Sequence, residues 1–188
     1  MRRINSKYQE DKKRKRNQLI LGLTLIFVMF FSVIGYSFQG IVSNDETIEK
    51  FNYNDFEFTE QNGFWILNKN NINFIFRYNP NEVPEINSEL KNINNYNGKP
   101  LYIFSESTEA ESEIRTNLFQ SVERIQNACL EECDKNLPIK TCEDNFIIIK
   151  EGDEKIVQEN NCVFITGKIE DLTKLADEFL FKILEIKS

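Results

Sequence analysis

Four cysteines are the residues of this chain with the clearest chemistry. Successive members are separated by three, eight and nineteen residues, at Cys129, Cys133, Cys142 and Cys162. In an oxidising compartment an even number of cysteines predicts disulfide bonds, and four cysteines allow three connectivities. A zinc site favours short paired spacings such as C-x2-C, and a redox pair favours C-x-x-C. The spacing therefore favours two disulfides over a metal or redox site.

The expected connectivity follows from the helix that is predicted to carry the first two cysteines. Cys129 and Cys133 lie one helical turn apart at what the pattern predicts to be the same helix end, where a bridge between them is strained. We therefore expect Cys133 to pair with Cys142 and Cys129 to pair with Cys162. These bonds tie the following loop and the last strand to the long helix.

Catalytic chemistry is restricted because the chain contains no histidine. Ser-His-Asp and Cys-His mechanisms and histidine-ligated metals are therefore excluded. Two carboxylates could do glycosidase acid/base work if burial raised the pKa of one of them. Their positions at helix ends favour a role in complementing the helix dipole and solvating the surface, so we predict no catalytic, cofactor-binding or metal-binding residue. The acidic residues in question are Glu106, Glu109, Glu111, Glu113, Glu131 and Glu132.

The elements that position these residues begin with a twenty-residue uncharged run at 19–38, LILGLTLIFVMFFSVIGYSF. At about 1.5 Å per residue, such a run crosses a ~30 Å hydrocarbon core as one transmembrane helix. The preceding basic residues 12–16 predict that the N-terminus is cytoplasmic. We therefore expect a single-pass protein of the cell membrane whose C-terminal domain lies outside. A cleaved signal peptide is the alternative, but its apolar core is shorter, about 7 to 15 residues.

Charge divides the chain at the same place. Residues 1–18, the predicted cytoplasmic tail, carry eight Lys and Arg against two acidic residues. The remaining 15 basic and 28 acidic residues give the rest of the chain a net charge of −13. Such a surface repels polyphosphate, so we predict that the outer domain binds no nucleic acid.

One outer domain is predicted at 51–188, after a polar linker at 39–50. Asn62-Gly63 between two aromatic runs is typical of a tight hairpin turn. Phe74, Phe76 and Tyr78 alternate with other residues, which favours a buried aromatic core over a ligand-stacking platform. Strand patterns occur at 56–58, 64–67, 74–78, 101–104, 146–150, 155–158 and 162–166, and helix patterns occur at 86–93, from Thr108 to Cys129 and from Leu172 to Leu184.

The order of these elements, βββαβαβ(β)βα, predicts the α/β class, with α+β as the alternative. The first strands are expected to form an antiparallel β-meander. The later strands are expected to form an α/β sandwich with partly parallel strands and an amphipathic C-terminal helix.

The sequence resembles a group of small, uncharacterised archaeal single-pass membrane proteins with a disulfide-containing outer domain. The resemblance covers most of residues 15–188 and implies the same topology and disulfide bonds, but it carries over no active site. It rests on Gly63-Phe64-Trp65-x-Leu67, Phe74-x-Phe76-x-Tyr78-x-Pro80-x-Glu82-Val83, LPIKTCEDNFIIIK at 137–150 and NNCVFITG at 160–167.

Two classes of function follow from these features. The favoured class is a membrane-anchored, extracytoplasmic interaction or structural module of the cell envelope, with the membrane and an envelope protein as partners. The alternative is a carboxylate-dependent hydrolase or transferase that acts on envelope glycans or peptides. A concave pocket with paired carboxylates indicates the enzyme, whereas an exposed apolar patch indicates binding.

Overall fold

The computed structural model describes the backbone of residues 7–39, 49–131, 133 and 136–187, and within the first range the side chains of residues 14–32. The chain divides into two compact units, Met1–Thr47 and Ile48–Ser188. Among the described residues, the first unit contains one helix and the second contains two sheets and two α-helices.

Helix α1 (Lys7–Gln39) contains the uncharged run. Its large apolar side chains between Leu19 and Phe31 are 56% to 72% exposed. Within the part of the chain that the structure describes, no helix is both long enough and apolar enough to cross a membrane. The predicted span continues through residues 33–38, whose side chains lie outside the described residues, as do residues 1–6 of the predicted tail and residues 40–48 of the predicted linker.

The second unit opens with a four-stranded antiparallel meander: β1 (Lys50–Tyr53), β2 (Phe56–Gln61), β3 (Phe64–Lys69) and β4 (Ile72–Phe76). The predicted hairpin is confirmed, because Asn62 and Gly63 have φ angles of 54° and 76° and join β2 to β3. Phe74 and Phe76 are buried, as the alternation predicted. Strand β1 was not predicted, since part of it falls in the expected linker.

A five-stranded mixed sheet follows, in the order β6-β5-β7-β9-β8. Strands β5, β6, β7 and β9 are parallel, and β8 is antiparallel to β9. This confirms the expectation of partly parallel later strands in a mixed α/β fold. The bounds are β5 (Pro100–Ser105), β6 (Arg124–Asn127), β7 (Asn145–Glu151), β8 (Lys155–Glu159) and β9 (Cys162–Gly167).

Helices α2 (Thr108–Leu118) and α3 (Leu172–Ile183) pack between the two sheets. The side-chain amide of Asn117 on α2 accepts from and donates to the backbone of Ile75 in β4, at 2.7 Å each. On α3, the ring of Phe181 lies 4.5 Å from that of Phe76. Ten residues of α3 are buried, because this helix contacts a sheet on each side.

The predicted helix at 86–93 is wrong. The structure has an extended segment there, followed by a single 3₁₀ turn at Ile93–Asn95. Backbone N–H groups of the segment donate to side chains of distant elements, from Ile86 to Glu178 at 3.4 Å and from Lys91 to Gln158 at 2.8 Å. These tertiary hydrogen bonds replace the i→i−4 bonds that a helix would make.

The predicted long helix from Thr108 to Cys129 is also too long. Helix α2 ends at Leu118, and the residues after it form β6, which pairs with β5. Its N-cap is Ser107, whose hydroxyl accepts from the Ala110 N–H at 3.3 Å, and the helix begins at Thr108 as predicted. The cysteines that were expected at a helix end therefore lie in a loop.

Candidate functional site

The mixed sheet has two different faces. Alternate residues such as Ile103, Ile147 and Val163 point into the main core with α3. The opposite set, including Tyr102 and Phe146, points away from both helices. We call this second face the outer face. Within residues 49–187, neither α-helix packs on it.

A row of four apolar side chains crosses the outer face, which we call the apolar row. Its members are in register across β5, β7, β9 and β8: Phe104, Ile148, Phe164 and Val157. Ile148 is 4% exposed and Val157 is 38% exposed, while the two phenylalanines are half-buried. The row is therefore most covered at Ile148 in β7 and most open at Val157 in β8.

Two lysines border the apolar row on the side of the carboxyl ends of β7 and β9. Lys150 and Lys155 pair in register with Thr166 from opposite sides, so only one strand separates them. At a strand spacing of about 4.8 Å, their Cα atoms lie roughly 10 Å apart. Both side chains are exposed, and neither forms an ion pair with a described residue.

The described residues of the loop between β6 and β7, 128–131, 133 and 136–144, cover the other part of the outer face. In doubly wound sheets the crossover on the second face usually carries a helix. Here Ala128, Leu130 and Cys142 pack on Tyr102 and Phe146 in its place. Part of the outer face stays open beside this loop, because Phe164 is half-buried and Val157 is exposed.

All four cysteines form disulfides, as predicted, but the expected pairing is wrong. Cys129 bonds to Cys133, and Cys142 bonds to Cys162. The expected pairing assumed that the first two cysteines lie on a helix, whereas they lie in the loop after β6. Because the loop returns to the sheet at β7, it brings Cys142 beside the start of β9. There the Asn161 N–H donates to the Cys142 carbonyl at 3.2 Å.

A groove of about 260 Å³ lies between the loop and the open part of the sheet. Its floor is apolar, and charged side chains stand at its walls, with Lys150 on the sheet and Glu131 on the loop. The remaining lining residues are Phe104, Ile148, Phe164, Leu130, Cys129 and Cys133. The groove therefore combines an apolar surface with a small number of oriented charges, which is typical of a binding site.

A larger groove of about 710 Å³ lies between the segment at 88–91, β8 and the end of α3. Its cations already have partners. Lys91 Nζ lies 2.7 Å from both the Asn160 carbonyl and Asn161 Oδ1, and Lys187 pairs with Glu178. This groove therefore offers less free charge to a ligand than the outer face.

Two acidic side chains, Glu113 and Asp177, meet in the helical layer. Glu113 is 6% exposed and Asp177 is 0% exposed. Asp177 Oδ2 accepts from the N–H groups of Arg77 and Tyr78 at 3.1 and 3.0 Å, and Arg77 Nε lies 3.6 Å from Glu113 Oε1. These contacts join the end of β4 to both helices.

Burial controls the protonation of this pair. It raises the pKa of Glu113, although Arg77 opposes the shift. Burial and the charge of Glu113 raise the pKa of Asp177 well above its usual value. Both carboxyl groups therefore hold a proton more tightly than an exposed carboxyl group does.

The other carboxylates considered from the sequence are not brought together with this pair. Glu111 pairs with Arg115 at 2.7 Å, and Glu106 accepts from the Glu151 N–H at 2.8 Å. Glu109 is exposed, Glu131 lines the outer groove, and Glu132 lies outside the described residues. Among the described residues, no group of three or more His, Cys, Asp or Glu side chains is placed to hold a metal ion.

The prediction that Glu113 helps to solvate the surface is wrong, because its side chain is buried. Asp177 and Glu178 were not predicted as site residues, because an amphipathic C-terminal helix is expected to direct its charged side chains to solvent. A signal was present in Phe181, which is four residues after Asp177 and therefore on its face of the helix. A large aromatic on the supposedly polar face indicates that this face is buried as well.

No family model, curated protein or solved structure matches this chain. The resemblance to archaeal single-pass proteins therefore stays a prediction.

Proposed function

We propose that the second unit is an interaction module of the cell envelope that binds a partner protein through its outer face. The observation that supports this is the incomplete cover of a largely parallel sheet. Parallel strands occur almost only in sheets with both faces covered. Here α2 and α3 cover one face, and a disulfide-bonded loop covers only part of the other.

The chemistry of the uncovered part supports a protein partner. Phe164 and Val157 of the apolar row keep area in contact with water, and burial of apolar area is the main driving force of association. The Cys142–Cys162 disulfide ties the loop to β9, and the Cys129–Cys133 disulfide closes a turn within the loop, so the surface is formed before a partner arrives. The net charge of −13 after residue 18 supports a partner other than nucleic acid.

Membrane attachment through the N-terminal unit is part of this proposal. The uncharged run, the exposed apolar side chains of α1 and the basic residues 12–16 support a tether with a cytoplasmic N-terminus and the module outside. Disulfide bonds support the same location, because they persist in oxidising compartments.

The buried carboxyl pair is the observation that favours the alternative, a hydrolase or transferase. Glu113 and Asp177 have the raised pKa values that acid/base chemistry requires. A substrate must also reach the carboxyl groups, yet Asp177 is fully buried and its Oδ2 is held by backbone N–H groups. Neither residue lines the grooves described above. The geometry therefore supports the binding function better.

The experiment is affinity capture of the full-length chain in mild detergent, with two variants in parallel. Val157→Asp places a charge in the apolar row, and Phe119→Ser changes an apolar side chain that is 73% exposed outside the outer face. We expect one partner to be captured by the wild type and by Phe119→Ser but not by Val157→Asp. Equal capture by all three proteins contradicts binding through the outer face.

A further inference from the structure

The size of the outer groove limits what it can hold. Pockets for drug-sized ligands and cofactors enclose about 300 to 1,000 Å³. The outer groove, at about 260 Å³, is smaller. Its floor of Phe104, Ile148 and Phe164 suits one or two apolar side chains of a longer segment that continues along the sheet.

The charges beside the groove determine which segment fits. Other basic residues near the outer face already have acidic partners, as Lys140 has with Asp144 at 3.5 Å and Arg124 with Glu123 at 3.4 Å. Lys150 and Lys155 have none among the described residues, and they flank Thr166 on one side of the apolar row. Two exposed cations roughly 10 Å apart repel each other only weakly in water, and together they attract an anion that lies between or above them.

A negatively charged segment is therefore the complement of this border. We propose that the outer face binds an acidic, apolar-anchored peptide segment of the partner protein. An apolar side chain of the segment fills the groove, and neighbouring Asp or Glu side chains contact Lys150 and Lys155. This inference rests on the proposed function, because it names the chemistry of the partner for the same surface.

An anionic lipid surface is the competing occupant, and the structure favours the peptide. A bilayer surface meets a wide area of protein, and the part of the chain after residue 18 has a net charge of −13, which a negatively charged surface repels. The loop, with Glu131, also forms one wall of the groove. A groove of this shape accommodates single side chains. A short peptide contacts only the groove and its border, so only the charges there need to be complementary to the peptide.

The test measures binding of labelled peptides to the full-length protein in uncharged detergent by fluorescence anisotropy. The probes are the decapeptides (Asp-Leu)5 and (Gln-Leu)5, which differ only in charge. We expect tighter binding of (Asp-Leu)5 in spite of the acidity of the module, and weaker binding as ionic strength rises. Equal binding of the two peptides contradicts the inference.

Matched charge reversals locate the site. Lys150→Glu should weaken (Asp-Leu)5 binding by about tenfold, because it replaces an attraction with a repulsion at the groove. Lys99→Glu makes the same change in net charge at an exposed position on a different part of the module and should change binding less than twofold, roughly the effect of a screened, distant charge. Equal weakening by both variants shows a non-specific charge effect and contradicts the inference.

Two further measurements separate this inference from the proposed function. Glu131→Gln should strengthen (Asp-Leu)5 binding, since it removes the negative charge from the groove wall. The protein should not bind phosphatidylglycerol vesicles through Lys150. If Lys150→Glu weakens vesicle binding and the protein binds neither peptide, the result contradicts the peptide proposal. If Val157→Asp abolishes partner capture while the peptides show no charge preference, the proposed function stands and the inference fails.

Discussion

Lys187 Nζ lies 2.7 Å from Glu178 Oε2, and both side chains are almost completely buried, at 7% and 0% exposed. Lys187 also donates to the Pro80 carbonyl at 3.3 Å, and Glu178 Oε1 accepts from the Ile86 N–H. The last residues of the chain thereby hold the extended segment after β4 against α3. This ion pair connects three parts of the module that are far apart in sequence.

Removal of one member of this ion pair should reduce the stability of the module more than removal of both. Lys187→Met leaves the Glu178 carboxylate buried without its cation, and breaking a buried pair in this way costs about 3 to 5 kcal/mol. Adding Glu178→Leu should recover much of that loss. Urea unfolding of the single and double variants measures both values, and a double variant at least as unstable as Lys187→Met contradicts the account.

The buried carboxyl pair predicts a pH dependence with a definite sign. Because the folded state raises the pKa values of Glu113 and Asp177, it binds protons more tightly than the unfolded state. The stability from this pair is therefore fully present below the ordinary carboxyl pKa and is lost as the pH rises through the raised values. Chemical unfolding over a pH series measures this loss.

Replacement of one carboxyl group should flatten that profile. Glu113→Gln removes the charge that raises the pKa of Asp177, so less stability should be lost at higher pH. Glu109→Gln, an exposed change on the same helix, is the matched control and should leave the slope unchanged. If both variants have the wild-type slope, the pair does not control the pH dependence.

The two disulfides should contribute unequally to stability. Loop-closure entropy predicts about 2 kcal/mol for Cys129–Cys133 and about 3 kcal/mol for Cys142–Cys162, because their sequence separations are 4 and 20 residues. Replacing each pair with alanine and measuring unfolding under non-reducing conditions compares them. Peptide mapping of the unreduced protein checks the connectivity, and a Cys133–Cys142 peptide would rule out the pairing described here.

Gly167 ends β9 beside Leu172 and Leu175 of α3. A Cβ atom at this position would lie 2.4 Å from Leu175 Cδ1, in the buried core. Gly167→Ala should therefore destabilise the module by about 1 to 3 kcal/mol, as overpacking usually does. Gly152→Ala is the control, since its nearest contact would be 3.4 Å from Thr166 Cβ. Similar melting temperatures for the two variants would show that α3 can move away.

Local patterns predicted much of this fold because local interactions determine them. The Asn62-Gly63 turn and the alternating strands of the meander depend on residues close in sequence. The segment at 86–93 and the residues after Leu118 were mispredicted because distant partners, Glu178, Gln158 and β5, take their backbone hydrogen bonds.

The candidate site was predictable only in part for the same reason. The cysteines were recognised by their number, but their pairing depends on how the loop between β6 and β7 passes the start of β9. Nothing in the sequence marks Lys150, Lys155 and the apolar row as one site, since only the register of β7, β8 and β9 aligns them.

The most direct test of binding through the outer face is photocrosslinking in intact cells. A benzoylphenylalanine residue at Val157 lies within the open end of the apolar row, and one at Phe119 serves as an exposed control outside that face. We predict a discrete crosslinked protein adduct from position 157 that disappears when Lys150→Glu is added, and no such adduct from position 119. An adduct from position 119 alone, or no adduct from position 157 in cells that contain the folded protein, contradicts the account.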